Sequence, residues 1–365
     1  MDAFLYFPIF LTLITTLCVF TAFRYIGSAG YALQEEQKQF IVPLLLCLFL
    51  VIWIGNRPIH FAFGDTVNYG REYNMLNPSI TNMDWSKEWV WTWIQHTCKM
   101  TGLDVHAFFT IIEFGYIFSV FWAIKEYTPS NPMLGFLFVI SSLMFFTFSV
   151  NGMRNGLACH LILLGFAFIL KSNYILGILI TLAAFGIHRS VMLPIAAFSV
   201  GFLFKDKVKY ALLIWLLSIP LSLVLGGTAI NFFASLGFDD RMSSYTDGSI
   251  DMNQFSKTGF RWDFLLYSFF PILMIWYVCI KRQIVDYWYN VLAITYCLCN
   301  AFWVMVITAS FSNRFAYLSW FMYPVIIAYP LINLPVWDDQ DRKTGLILLA
   351  YCGFTLFMNV FVWGV

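Results

Sequence analysis

Arg154 is the first place to look for chemistry in this chain. It lies in the polar hexad Asn151-Gly152-Met153-Arg154-Asn155-Gly156, between two uncharged stretches, 132–150 and 157–170. A guanidinium at such a junction needs an anion, and phosphate at a lipid surface is one that its planar fork can grip. A second stretch, Asp65 to Tyr73, offers carboxylates and phenols. If helical, it places Asp65, Tyr69 and Glu72-Tyr73 on one face. Asp65 could equally cap that helix. His188-Arg189-Ser190 sets an imidazole beside a guanidinium, and adjacent positive charge favours the neutral ring. Arg241 with Tyr245, Arg261 with Asp263, and Arg314 with Tyr317 complete the set. Arg261 and Asp263 are two residues apart and do not share a helix face, so the carboxylate need not neutralise that arginine.

The elements that carry these residues follow from composition. The chain of 365 residues is 60% hydrophobic and only 11% charged, well above the apolar share of soluble domains, about 45–50%. Apolar runs separated by short charged links, without strand alternation, indicate an all-α polytopic integral membrane protein. Taking the links as boundaries gives roughly twelve spans, near 3–23, 40–55, 106–124, 132–150, 153–170, 173–188, 190–204, 208–228, 262–281, 288–309, 315–335 and 344–363. The runs at 173–188 and 190–204 are short for a full crossing and could form a hairpin. Residues 3–23 read as a first span, because they are long for a signal sequence and no small-residue cleavage site follows. The expected organisation is one transmembrane domain over 1–365 with two long links, 56–104 and 228–261. A net charge of +1 gives no reason to expect nucleic acid.

Small lysine-rich links are cytoplasmic by the positive-inside rule, so both long links face outward. On that side lie Arg57, Arg71, Arg154, Arg189, Arg241, Arg261 and Arg314 with only Lys87, Lys99 and Lys257, whereas the inner side holds eight lysines with Arg24, Arg282 and Arg342. Lysine suffices to hold topology; arginine is the better reader of phosphate. Anchoring of helix ends to headgroups explains any one outward arginine more simply than it explains all seven. Trp85, Trp89 and Trp93 recur every fourth residue, a stripe suited to the headgroup layer or, more sharply, to stacking on sugars. The eight cysteines fall mainly in apolar runs, and Cys297 with Cys299 lacks His or carboxylate neighbours, so neither a disulfide framework nor a metal site is expected.

Five short patterns together resemble the EpsG branch of the Wzy-type O-antigen and exopolysaccharide polymerases. They are Gly64-Asp65-Thr66 with Tyr69; Arg154-Asn155-Gly156-Leu157-Ala158; Gly186-Ile187-His188-Arg189-Ser190 with Leu193-Pro194; Gly259-Phe260-Arg261-Trp262-Asp263-Phe264; and Arg314 with Tyr317. The likeness runs from about residue 60 to 320. It implies a GT-C-like helical bundle acting as an inverting glycosyltransferase in the bacterial cytoplasmic (inner) membrane, with its active face periplasmic and no cofactor or metal. The implied substrate is an undecaprenyl-diphosphate-linked oligosaccharide repeat unit, met among membrane lipid, with a chain-length regulator and a flippase as implied partners.

In that reaction a hydroxyl of one unit attacks the anomeric carbon of another and undecaprenyl diphosphate leaves. Arg154, Arg189, Arg261, Arg314 and Arg241 are the candidates to hold the diphosphate, where preorganised donors stabilise developing charge. Asp65 is the first candidate base, followed by Glu72 and His188. Tyr69, Tyr73, Tyr245 and Tyr317 are candidate substrate contacts. Two rivals remain. An O-antigen ligase would want the same groups and differ only in acceptor. A lipid-linked oligosaccharide flippase or other transporter would be expected to carry midplane charges and internal repeats, neither of which the sequence shows.

Overall fold

The computed structural model describes residues 2–28, 41–79, 85, 88–235, 259–309 and 312–364, and among them every regular element is helical. The chain forms two compact units, one of Met1–His188 with Ala328–Val365, the other of Arg189–Ile327. Eight stretches among the described residues are long and apolar enough to cross a membrane: Ala3–Gly27, Val105–Tyr127, Met153–Leu170, Val208–Leu225, Trp262–Lys281, Tyr287–Met305, Ser312–Asn333 and Gln340–Val362. Ile41–Gly55, Tyr174–Ile187 and Arg189–Leu203 are apolar but shorter.

In the first unit the order is α1 (Ala3–Gly27), α2 (Ile41–Gly55), a 3-10 turn (Phe61–Phe63), α3 (Thr66–Met75), α4 (Trp89–Met100), α5 (Val105–Tyr127), α6 (Pro132–Ile140), α7 (Phe145–Val150), α8 (Met153–Leu170) and α9 (Tyr174–Ile187). Local chemistry sets several starts. The Asp104 carboxylate accepts from the Ala107 amide at 2.8 Å to cap α5, and Asn131 caps α6 ahead of Pro132. The stretch 132–150, expected as one span, is two short helices instead. Ser141 Oγ donates to the Leu137 carbonyl at 2.6 Å where α6 ends, and the Ser141 carbonyl accepts from Thr355 Oγ1 at 2.8 Å. Irregular backbone persists among apolar helices only where another element satisfies it, as Thr355 does here.

Helix α8 packs along α5 on one side and α9 on the other, and α5 also packs on α2. Beneath α3 these helices are joined by Arg57, fully buried just past α2. Its Nη1 donates to Glu113 Oε1 on α5 at 3.0 Å and to the Ile54 carbonyl at 2.8 Å, while Nε donates to Thr66 Oγ1 at 3.1 Å. Thr66 in turn donates to the Val150 carbonyl at 2.7 Å, so the ends of α2 and α7 and the start of α3 are tied to one guanidinium.

The second unit contains a 3-10 turn (Arg189–Val191), α10 (Met192–Leu203), α11 (Val208–Ser235), α12 (Trp262–Ile275) with a π-helical extension (Trp276–Lys281), α13 (Tyr287–Met305), α14 (Ser312–Trp320) and the first turns of α15 (Tyr323–Asn333). Helix α11 runs on to Ser235, so it occupies the start of the link expected at 228–261. Asn300 is the polar centre of this unit. Its Oδ1 accepts from Trp215 Nε1 at 2.7 Å, and its Nδ2 donates to Ser268 Oγ at 3.1 Å and Ser319 Oγ at 2.9 Å. One buried amide thus pins four helices, and each of its partners is satisfied. The chain then returns to the first unit through the end of α15 and α16 (Gln340–Phe357), which packs along α1.

Candidate functional site

Helix α8 begins at Met153 with Gly152 at its N-cap, so Arg154 stands in the first turn, where a cation opposes the helix dipole. The opposition is relieved by Glu88, the residue just before α4. Arg154 Nη1 donates to Glu88 Oε2 at 2.6 Å. The other oxygen of the same carboxylate, Oε1, is bound to His188 Nδ1. One carboxylate therefore bridges an arginine and a histidine that lie far apart in sequence. All three side chains are partly accessible, at 20% for Arg154 and Glu88 and 18% for His188.

The local backbone explains how they meet. His188 follows the last turn of α9 in extended conformation, its amide held by the Ala184 carbonyl at 3.0 Å. Two residues earlier, a Cβ on Gly186 would come within 2.5 Å of Val90 Cγ2 and 2.7 Å of Trp89 Cε2. Only glycine lets the end of α9 approach the first turn of α4 this closely, and that approach brings His188 to Glu88. Tyr69 on α3 closes another side, with the Arg154 guanidinium 5.6 Å from its ring centre, within cation–π range. Tyr69 packs edge-on against Trp91 of α4 at 5.7 Å.

Burial taken alone raises the Glu88 carboxyl, but the hydrogen bonds from His188 and Arg154 and the positive charge beside it outweigh that, and the net shift is below the usual carboxylate value. Glu88 is therefore the acidic member of the group and acts only as an acceptor.

The other candidates fall in different settings. Asp65 sits at the N-cap position of α3 without a side-chain cap bond; it is half-buried, and its Oδ1 accepts from Asn68 Nδ2 at 3.3 Å. Its backbone amide donates to Asn151 Oδ1 at 2.8 Å, linking Gly64-Asp65 to the hexad that holds Arg154. The positive φ of Gly64, 55°, with Asn151 close against it, makes glycine the fitting residue there. Glu72 is exposed, and its charge contributes to the electrostatic surroundings of Arg154. Tyr73 turns inward: it is buried, stacks on Phe108 at 4.6 Å and donates to the Leu103 carbonyl at 2.9 Å. Along α4 the tryptophans divide, with Trp89 and Trp93 exposed and Trp91 buried; Trp85, ahead of the helix, is exposed too.

Arg189, Arg261, Arg314 and Tyr317 belong to the second unit. Arg189 is exposed, Arg314 half-buried and Tyr317 buried. Arg261 does pair with Asp263: its Nε donates to Asp263 Oδ1 at 2.9 Å and its Nη2 to Oδ2 at 2.6 Å, a bidentate pair. The spacing rule fails because Arg261 is the N-cap residue, with φ −87° and ψ 78°, so its side chain can reach the first turn from outside the helix. Arg261 also lies over the Phe264 ring, its Cζ 3.6 Å from the centre. Arg241 and Tyr245 lie outside the described residues. Among the described residues no cluster of three or more His, Cys, Asp or Glu side chains could hold a metal ion.

Two functional or structural carboxylates escaped sequence reasoning. Glu88 lies next to the tryptophan stripe, whose aromatic period dominates the local pattern; its signal in the sequence is that of a lone acid at the start of a helix, where it complements the dipole. Glu113 was the single charge within the apolar run 105–124, and an ionisable group there calls for a partner.

No curated protein and no solved structure matches the chain. The model of the EpsG family matches residues 40–364, nearly the whole length, and the chain belongs to the EpsG family.

Proposed function

We propose that this protein polymerises a polysaccharide by joining undecaprenyl-diphosphate-linked repeat units on the outer face of the cytoplasmic membrane, as an inverting glycosyltransferase of the GT-C type. EpsG membership suggests a polysaccharide polymerase-type role. The observation that carries the finer reading is the Arg154–Glu88–His188 group at the start of an apolar helix, which puts a guanidinium for phosphate and an imidazole for a proton on one carboxylate.

In this reading the acceptor hydroxyl gives its proton to His188 Nε2 while its oxygen bonds to the anomeric carbon. The bond from that carbon to the diphosphate oxygen breaks, and the electron pair leaves with undecaprenyl diphosphate, which Arg154 holds. The proton then passes from the imidazole to water. The attack comes from the face opposite the leaving group, so the anomeric centre inverts. Arg189, Arg241, Arg261 and Arg314 remain proposed diphosphate ligands, with Arg261 needing to exchange Asp263 for phosphate. Tyr69 is the proposed substrate contact nearest the group; Tyr245 and Tyr317 are proposed from sequence alone. By sequence alone Asp65 is the first candidate base. The geometry favours His188, because its ring is already oriented by a carboxylate beside the proposed phosphate ligand. Asp65 and Glu72 are then left to bind sugar hydroxyls.

The test is purified protein given synthetic undecaprenyl-diphosphate repeat units, with products separated on a gel. A ladder of multiples of the repeat unit is expected. Transfer of a single glycan to lipid A core without a ladder would instead identify a ligase.

A further inference from the structure

We propose that Glu88 is a positioning residue of this site: it fixes His188 as the Nδ1–H tautomer, leaving Nε2 as the proton acceptor, while its other oxygen takes a hydrogen bond from Arg154. The proposal rests on the polymerase reading above for what the site does, but its structural half stands independently.

The argument begins with hydrogen-bond inventory. An ionised carboxylate has only lone pairs to offer, so each group bound to Glu88 must bring a hydrogen. Arg154 brings one through Nη1 to Oε2. His188 meets Oε1 through Nδ1, so the hydrogen must be on Nδ1. In a neutral imidazole that choice makes Nε2 the acceptor. Without Glu88, nothing in this group would select the tautomer. The carboxylate also fixes the ring plane, because both of its oxygens are engaged and it cannot rotate to follow either partner alone.

The fold supplies the rigidity such a role needs. Glu88 immediately precedes α4, whose Trp91 is buried and packed against Tyr69 and Phe108. His188 immediately follows α9, which approaches α4 through Gly186. Arg154 is in the first turn of α8, and α8 and α9 pack together along their length. Three helix ends therefore each present one member of the group. The Arg57–Glu113 pair has no comparable role, since it is fully buried and touches no imidazole.

The experiment uses full-length protein in lipid nanodiscs with ¹⁵N-labelled histidine, read by solid-state NMR. The chain has five histidines, and His188→Asn identifies the signals of His188 by difference. Wild type is expected to show His188 protonated at Nδ1 and unprotonated at Nε2; in Glu88→Ala the Nδ1–H signal is expected to give way to the other tautomer or to a mixture. Kinetically, Glu88→Ala and Glu88→Gln should lower kcat on the order of 10–100-fold, the range for loss of an orienting partner. KM for the lipid-linked unit should not rise, because Arg154 is left at least as available to phosphate. Glu88→Asp, which keeps a carboxylate one methylene shorter, should recover part of kcat. A His188 tautomer that is the same in wild type and Glu88→Ala overturns the proposal, and so does an unchanged kcat, or a KM that rises with kcat unchanged. A wild type that shows the expected tautomer but makes no polymer on any repeat unit would overturn the polymerase reading and leave the positioning of His188 by Glu88 standing.

Discussion

Two arginine–carboxylate pairs in the same unit have opposite characters. Arg57 and Glu113 meet at 3.0 Å with no exposure on either side chain, and Arg57 also donates to the Ile54 carbonyl, Thr66 and Met153. Arg154 and Glu88 meet at 2.6 Å, each with a fifth of its side chain accessible, and the carboxylate shares itself with His188. The first pair is wholly enclosed by the fold, with Glu113 Oε2 left without a hydrogen-bond partner, and no ligand can reach it. The second can be reached from outside and contains a group able to exchange a proton. An arginine–carboxylate pair among apolar helices is therefore not by itself a site; accessibility and the company of an imidazole separate chemistry from architecture.

That contrast can be broken most forcefully at Glu113. Replacing it with Ala leaves the Arg57 guanidinium buried without its counter-charge, a change that typically costs about 3–5 kcal/mol. The expected outcome is loss of most folded protein, measured as the monodisperse fraction in detergent and the thermal midpoint. Full recovery of folded protein from this variant would show that Arg57 finds water or another anion. Glu88→Gln should do the reverse, with stability lowered by no more than about 1 kcal/mol, as for a partly exposed pair, and polymer yield per folded protein sharply reduced.

A third variant probes how the site is assembled. In Gly186→Leu the new side chain must push Trp89 and Val90 aside, an overpacking that costs about 1–3 kcal/mol. It should also separate His188 from Glu88. Polymer yield is expected to fall with stability partly kept, whereas an unaltered yield would show that the approach of α9 to α4 is not what sets the group.

The smallest effect is in acid. The folded-state carboxyl of Glu88 lies below its ordinary value of 4.5, so the stability it contributes is fully present above that value and lost as pH falls through the lower folded one. The difference in thermal midpoint between wild type and Glu88→Gln should be present at neutral pH and shrink below about pH 4.5. A difference that instead grows on acidification would contradict the ionised state of Glu88.

Much of this architecture was legible in the sequence because hydropathy reports it directly. The long apolar runs became helices, and Asp65 to Tyr73 became largely helical, as its spacing allowed. What hydropathy could not report was where an apolar run breaks. At Ser141 the break depends on a hydroxyl taking a backbone carbonyl and on Thr355, more than two hundred residues away, satisfying the next. The site was legible in part for the same reason. Arg154 and His188 stand out as polar residues between apolar runs, but the carboxylate joining them comes from a link whose local pattern is dominated by tryptophan. Spacing rules also misjudged Arg261, because they describe residues inside a helix and this arginine stands at its threshold. Pairings set by helix ends meeting in space leave little trace along the chain.

The most direct test of the central claim is polymer formed per folded protein in proteoliposomes for wild type, Arg154→Lys and Glu88→Gln, each given the same undecaprenyl-diphosphate repeat unit. The account predicts a ladder from wild type and, from both variants, folded protein with near wild-type thermal midpoints and a ladder weaker by on the order of 100-fold, since lysine lacks the planar fork and glutamine the shared charge. A full ladder from both variants would contradict it, and would return Arg154, Glu88 and His188 to holding helix ends together.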